Sequence, residues 1–211
     1  MTPEEERLIK SFGVSRETIE KLGVFDGLLR KWQSRMNLVA PSTLNSIWMR
    51  HFADSLQLLS VVGDPSGTWI DMGSGAGFPG LPIAIDFSTT KSGSVHLIER
   101  DHRKCAFLRQ VAHATNAAAT VYHGSIEDFA ISVDGPKFIT SRAVAPLNQL
   151  VEWSASFLKA GAVGVFLKGR QDRDDLDRQS LVKTFNIESI PSKTDATSRV
   201  VLVRARSDVG Y

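Results

Sequence analysis

The 211-residue chain contains one cysteine, Cys105, so it can form neither an internal disulfide nor a multi-cysteine metal site, and it suits a reducing compartment. No apolar run approaches the ~20 residues that a membrane-spanning helix requires. Pro-, Gly- or Ser-rich tracts are missing, as are internal repeats at solenoid periods, which argues for one globular unit rather than an array. A large charge of one sign is also missing: 25 Lys and Arg stand against 23 Asp and Glu, for a formal net charge of +2. That balance does not announce nucleic-acid binding, but it permits a basic face offset by acids elsewhere. The N-terminus, MTPEEERLIK, is acidic and amphipathic, unlike a secretory leader, so a cytoplasmic protein is expected.

The first sixty residues read as helix. Thr2 can cap, Pro3 fits a first helical position and Glu5 can close a capping box. Ser15 opens a longer helix toward Arg35, and a third helix is predicted over roughly Asn45 to Val62, where Trp48, Phe52, Leu56 and Leu59 recur at helical spacing. After the turn Gly63-Asp64-Pro65-Ser66-Gly67 the pattern changes to alternating strands and helices. Strands are predicted at TWIDM, SVHLIE, ATVYH, KFITS and AVGVFLK, with helices over His102 to Thr115 and near Leu147 to Leu158. Two β-rich runs, TFNIESI and RVVLVRA, close the chain without a helix-length crossover, so they should form an antiparallel hairpin. The expected fold is a Rossmann-like α/β sheet, seven-stranded and mostly parallel, covered on both faces. Residues 1–62 form an N-terminal helical cap and residues 67–206 the core.

The stretch TWIDMGSGAGFPGLPIAI places glycines 73, 75, 77 and 80 between a strand and a helix. Glycines there let backbone N–H groups approach a ligand beyond the carboxyl edge of the sheet. The spacing fits a dinucleotide, a mere packing turn, or S-adenosylmethionine. Three features bear on the choice. Asp71, giving D-x-G-x-G-x-G, is awkward beside a pyrophosphate but helpful near a ligand carrying a sulfonium and an ammonium. Pro79 and Pro82 lack N–H groups and weaken the next helix as a pyrophosphate clamp. Glu99, ending the second strand, can accept ribose hydroxyls from either ligand. The balance favours S-adenosylmethionine.

The glycine segment, with MNLVA and RHFADSL before it and LIERDHRKCAFLRQV, SIEDF, SRAVAPL, FLKGR and RVVLV after it, resembles the RsmG (glucose-inhibited division protein B) family along nearly the whole chain. The resemblance implies S-adenosylmethionine-dependent methylation of a guanine N7 in 16S rRNA, leaving S-adenosylhomocysteine, with no metal. It implies cofactor contacts from Gly73, Gly75, Phe78 and Glu99, adenine contacts from Ile126 and Glu127, and closure of the pocket by Arg142. Two positions depart from the common pattern: Glu99 stands where many relatives have Asp, and Phe78 replaces an aliphatic residue and could simply pack. Guanine N7 carries a lone pair and no proton, so the transfer needs alignment rather than a general base, and no catalytic residue is assigned. The fourth strand ends in Ser141-Arg142-Ala143. It carries neither a following nucleophilic cysteine nor an Asn/Asp-Pro-Pro-aromatic turn, which excludes cytosine-C5 and exocyclic-amine chemistries of those types.

Other polar residues carry two readings each. Arg142 could instead pair with Glu127 or Asp128. His51, Asp54 and Ser55 suit a polar pocket mouth or a hydrogen-bond cluster joining cap to core, and Asn37 suits a pocket lining or a turn. Lys168, Arg170, Arg103 and Arg199, with Arg142, are the candidate RNA face; Arg100, Arg103, Lys104 and Arg109 could equally be a solvated helix face. The expected partner is 16S rRNA within the small ribosomal subunit or its precursor, met by a monomer. A small-molecule methyltransferase, or a non-catalytic S-adenosylmethionine-binding regulator, is the alternative.

Overall fold

The computed structural model describes residues 1–129, 135–169 and 184–206, apart from the side chains of residues 127 and 128. Local signals set the first helices. Helix α1 (Pro3–Lys10) begins in a capping box, in which the Thr2 hydroxyl accepts from the Glu5 N–H and the Glu5 carboxylate accepts from the Thr2 N–H, satisfying two otherwise orphaned donors. Ser15 caps α2 (Arg16–Gln33) by accepting from the Thr18 N–H.

The third predicted helix is not uniform. A 3-10 turn over Pro41–Ser46 leads into a π-helical turn, Trp48–Ala53, and only then into α3 (Asp54–Val61). Side chains compete with the backbone ladder there. The Arg142 guanidinium donates to the Arg50 carbonyl, and the Ser55 hydroxyl donates to the His51 carbonyl at 2.6 Å. Widened turns of this kind arise where such groups intrude.

Seven strands and their crossovers follow: β1 (Gly67–Met72), α4 (Gly80–Thr90), β2 (Gly93–Glu99), α5 (His102–Thr115), β3 (Ala119–His123), the short α6 (Ile126–Phe129), β4 (Phe138–Arg142), α7 (Leu147–Lys159), β5 (Val163–Lys168), β6 (Phe185–Pro191) and β7 (Arg199–Ala205). The sheet order is β3-β2-β1-β4-β5-β7-β6. Neighbours pair in parallel from β3 through β5, whereas β7 is antiparallel to both β5 and β6. The strand order reverses between β1 and β4, which opens a crevice at their carboxyl ends.

Alternation along the strands divides the core. In β1, Trp69 joins the cluster containing the cap helices, α4 and α5, while Ile70 and Met72 join the cluster beneath α7. The cap is fastened by aromatic contacts: Phe25 of α2 stacks on Phe78 at 5.0 Å and meets Phe52 edge-on at 5.3 Å. Phe25 and Phe52 are fully buried, each contributing roughly 2–3 kcal/mol of apolar transfer. No helix of the described residues is long and apolar enough to cross a membrane.

Candidate active site

Two cavities open at the carboxyl edge of the sheet and share a wall. The first, of about 590 Å³, is lined by the glycine turn (Gly73, Gly75, Phe78), the β2 exit (Glu99, Arg100) and Ile126, among others. The second, of about 760 Å³, lies between the cap, the β4 and β5 exits and the β6–β7 connection. Leu38, Arg142, Ala143 and Val144 line both.

The first cavity is mostly a backbone construction. Gly73 adopts φ +68°, and a Cβ there would come within 2.7 Å of Val144 Cγ2, so both conformation and space demand glycine. The Gly75 N–H donates to Glu99 Oε2 at 2.8 Å, and the Asp101 N–H donates to Glu99 Oε1 at 2.8 Å. Glu99 therefore ties the glycine turn to the β2–α5 turn, and each carboxylate oxygen retains further accepting capacity. Asp71 acts from behind. It is fully buried and lines neither cavity; its Oδ2 accepts from the Gly80 N–H at 3.1 Å, and its Oδ1 has no hydrogen-bond partner. Burial pushes its pKa up to about 7, so the structure gives Asp71 the job of anchoring α4 rather than facing a ligand.

Phe78 lies against Phe25 and Phe52, with the His51 ring centroid at 4.9 Å and the Arg142 guanidinium over its face at 5.0 Å. It both packs the cap and lines the first cavity. Trp153, on α7, lines the same cavity and was not anticipated. The signal was faint: Leu147, Leu150, Val151, Ser154 and Leu158 form the buried stripe of α7, and Trp153 stands just off it.

The shared wall centres on Arg142. Its Nη1 donates to the Arg50 carbonyl at 3.1 Å and its Nη2 to His51 Nδ1 at 2.6 Å; its carboxylate partner is Asp54, with Oδ2 3.7 Å away. Because guanidinium only donates, His51 Nδ1 must accept, and the ring proton belongs on Nε2, which donates to Thr43 Oγ1 at 2.8 Å. Burial, then the charges of Arg142 and Arg50, lower the His51 pKa to about 3. His51 is thus a neutral strut with both nitrogens engaged. Burial raises the Asp54 pKa, opposed by its hydrogen bond from Thr194. His51 and Asp54 both line the second cavity and both join cap to core, so the two sequence readings describe one cluster.

The other predicted residues fall outside the shared wall. Lys168 lines the second cavity and is 7% exposed, its Nζ donating to the Ala145 carbonyl at 2.8 Å. Arg199 is held across the hairpin, donating to the Ser189 hydroxyl and carbonyl, and lines neither cavity. Arg103 is exposed on α5, near Asp101 at 4.0 Å, and Asn37 is exposed beside Leu38; neither lines either of these two cavities. Arg100 and Lys104 do line the first cavity. Arg170 and the Glu127 side chain lie outside the described residues.

Comparison with known proteins gives a consistent result. The family described as GidB, rRNA small subunit methyltransferase G, matches residues 18–201. The protein named ribosomal RNA small subunit methyltransferase G from Parvibaculum lavamentivorans is 44% identical, over 90% of this chain and 84% of its own. Its namesake from Methylorubrum populi is 41% identical, over 96% of each. Among solved structures, magnesium protoporphyrin IX methyltransferase of Synechocystis, with bound S-adenosylmethionine, superposes at TM-score 0.56 and 13% identity, covering 86% of this chain and 97% of that one. A Methanococcus jannaschii fibrillarin, a pre-rRNA processing protein, superposes at 0.53 and 17% identity over 66% of each chain. At these identities the likeness is one of fold, and the fold is that of the class I methyltransferases.

Proposed function

The chain belongs to the rRNA small subunit methyltransferase G family, and from that premise we propose that it methylates N7 of a guanine in 16S rRNA, with S-adenosylmethionine held in the first cavity. The residues fit this cofactor. About 590 Å³ suits a ligand of nucleoside size. A turn whose glycine excludes a Cβ admits close backbone approach, Glu99 offers acceptors to a ribose, and Ile98, Ile126 and Trp153 offer an apolar slot to a base. Bound there, the cofactor supplies an electrophilic methyl carbon: the N7 lone pair forms the new bond as the C–S bond breaks, leaving neutral S-adenosylhomocysteine and a positive charge on the purine.

One observation carries the N7 reading. None of the four residues that line both cavities can take a proton: Leu38, Ala143 and Val144 are apolar and Arg142 is a cation; beyond them His51 is held neutral with a pKa near 3, and the Asp54 carboxylate lines the second cavity alone. Such a junction suits a nucleophile with no proton to lose. What remains for the chain is to align two ligands and exclude water, which supplies a large part of such a rate. In this reading residues 1–62 furnish the cap over the acceptor and residues 67–206 the cofactor core. The partner is rRNA in the small subunit or its precursor, met in the cytoplasm by a monomer, and basic groups around the cavities steer it in a salt-dependent manner.

The test uses 16S rRNA from cells lacking the protein. Reductive strand scission should reveal one guanine that has lost its N7 methyl group, and purified protein with S-adenosylmethionine should restore it. An unchanged scission pattern would overturn the reading.

A further inference from the structure

The second cavity contains a carboxylate oxygen that, among the described residues, has an ion-pair partner at 3.7 Å but no hydrogen-bond donor within reach. Asp54 Oδ1 accepts from Thr194 Oγ1 at 2.7 Å and from Gln57 Nε2 at 2.8 Å. Oδ2 has only the Arg142 guanidinium at 3.7 Å, beyond hydrogen-bond reach, and among the described residues no donor serves it. The side chain is 14% exposed and lines the cavity. A largely buried carboxylate with one oxygen spare is costly unless a ligand donor completes it. Beside it, Arg142 spends two of its five N–H groups on Arg50 and His51, which leaves donors next to the spare acceptor.

We propose that the second cavity receives the acceptor guanine, unstacked from its RNA, and that the Arg142–Asp54 pair reads its O6 and N1–H edge. Guanine presents an acceptor, O6, next to a donor, N1–H, and the pair presents the complementary donor and acceptor. Adenine presents the reverse order, a donor at N6 next to an acceptor at N1, and would set donor against donor and acceptor against acceptor. The cavity, at about 760 Å³, accommodates a nucleotide, and extrusion of a target base into such a pocket is the general route for chemistry on a stacked base. Arg142 lines both cavities, so a guanine whose O6 meets it turns the adjacent N7 toward the first cavity. Asp54 also contributes to the rate. Methylation puts positive charge on the purine and makes N1–H more acidic, so its bond to the carboxylate strengthens as the transition state forms.

The inference rests on the guanine-N7 reading above, and its test separates the two. The substrate is 16S rRNA reassembled by ligation with guanine, inosine or 1-methylguanine at the mapped position. Inosine keeps O6 and N1–H, and 1-methylguanine loses N1–H. With the unaltered protein, kcat/KM should fall on the order of 100-fold for 1-methylguanine and less than about 10-fold for inosine. Asp54→Asn should lose on the order of 100-fold on guanine, mainly in kcat, and little more on 1-methylguanine. Its S-adenosylhomocysteine affinity by calorimetry should stay within about 3-fold. A merely structural Asp54 would leave the discrimination between the two bases intact. If the guanine RNA is methylated but 1-methylguanine is accepted equally well, this inference falls and the function stands. Failure to methylate guanine RNA at all would remove both. The comparison of bases in the unaltered protein needs no variant to fold.

Discussion

The two cavities share a wall but are built by different means. The first cavity is made chiefly of turns that immediately follow strands: residues 73–78 after β1, 98–104 around the end of β2, 124–126 after β3 and 142–144 after β4. Its glycine turn presents backbone to the cavity, with the Glu99 carboxylate and the cations of Arg100, Lys104 and Arg142 around it. The second cavity draws side chains from residues 38–54 of the cap, 142–146, 167–169 and 194–198. The cap segment is tied to the β4 exit and to the hairpin by side-chain bonds: Arg142 to His51, Asp54 to Thr194, Gln57 to the Lys193 N–H and Arg50 to Asp195. A site of the first kind is fixed by local conformation. One of the second kind depends on the docking of cap, sheet and hairpin.

The largest test of this division is Gly73→Asp. Glycine is required there by φ +68° and by Val144 at 2.7 Å, so cofactor affinity should fall more than about 100-fold with the circular-dichroism spectrum and cooperative melting retained. Full affinity by calorimetry would show that the turn is not the cofactor's seat.

Asp71→Asn tests whether the turn's anchor acts from behind the cavity. The folded-state pKa of Asp71 is raised to about 7, first by burial, above the ordinary carboxylate value of about 4. The folded protein therefore holds this proton more tightly than the unfolded chain does. The resulting stabilisation is fully present below pH ~4 and is lost as pH rises through about 7. The stability difference between native protein and variant, from denaturant melts between pH 4 and 8, should shift against the native protein by up to about 4 kcal/mol over that interval. A flat difference would contradict the assignment.

The smallest effect belongs to Arg103→Ala. Arg103 lies off both cavities and pairs only loosely with Asp101 at 4.0 Å. Its removal should change methyl transfer by no more than about 2-fold at moderate salt. A drop of 10-fold or more would extend the RNA-binding surface onto α5 and blur the contrast between the cavities.

Much of the fold was legible because its signals are short-range. Ser15 and Thr2 cap helices within three residues of themselves, and alternation in β1 and β7 separates the two faces of the sheet. The glycine turn and Glu99 were legible for the same reason, since a strand, a tight turn and a helix specify their own geometry. The π-helical turn at Trp48–Ala53 was not legible, because the donor that reaches the Arg50 carbonyl comes from Arg142, 92 positions away. The partners of Lys168 and Arg199 were not legible for a related reason. A cation at the end of a strand says nothing of whether a neighbouring carbonyl, such as those of Ala145 and Ser189, will hold it.

By itself, then, the sequence determined the order of the strands along the chain, the glycine turn and the family to which they belong, because propensity, capping and alternation act between residues close in the chain. Only the tertiary structure decided that Asp71 faces α4 rather than a ligand, that His51 is a neutral strut, and that one Asp54 oxygen, among the described residues, is left with Arg142 at 3.7 Å alone. Each of these depends on which buried group is left without a partner after the cap and hairpin have docked, and a chain pattern does not encode the distances that settle it.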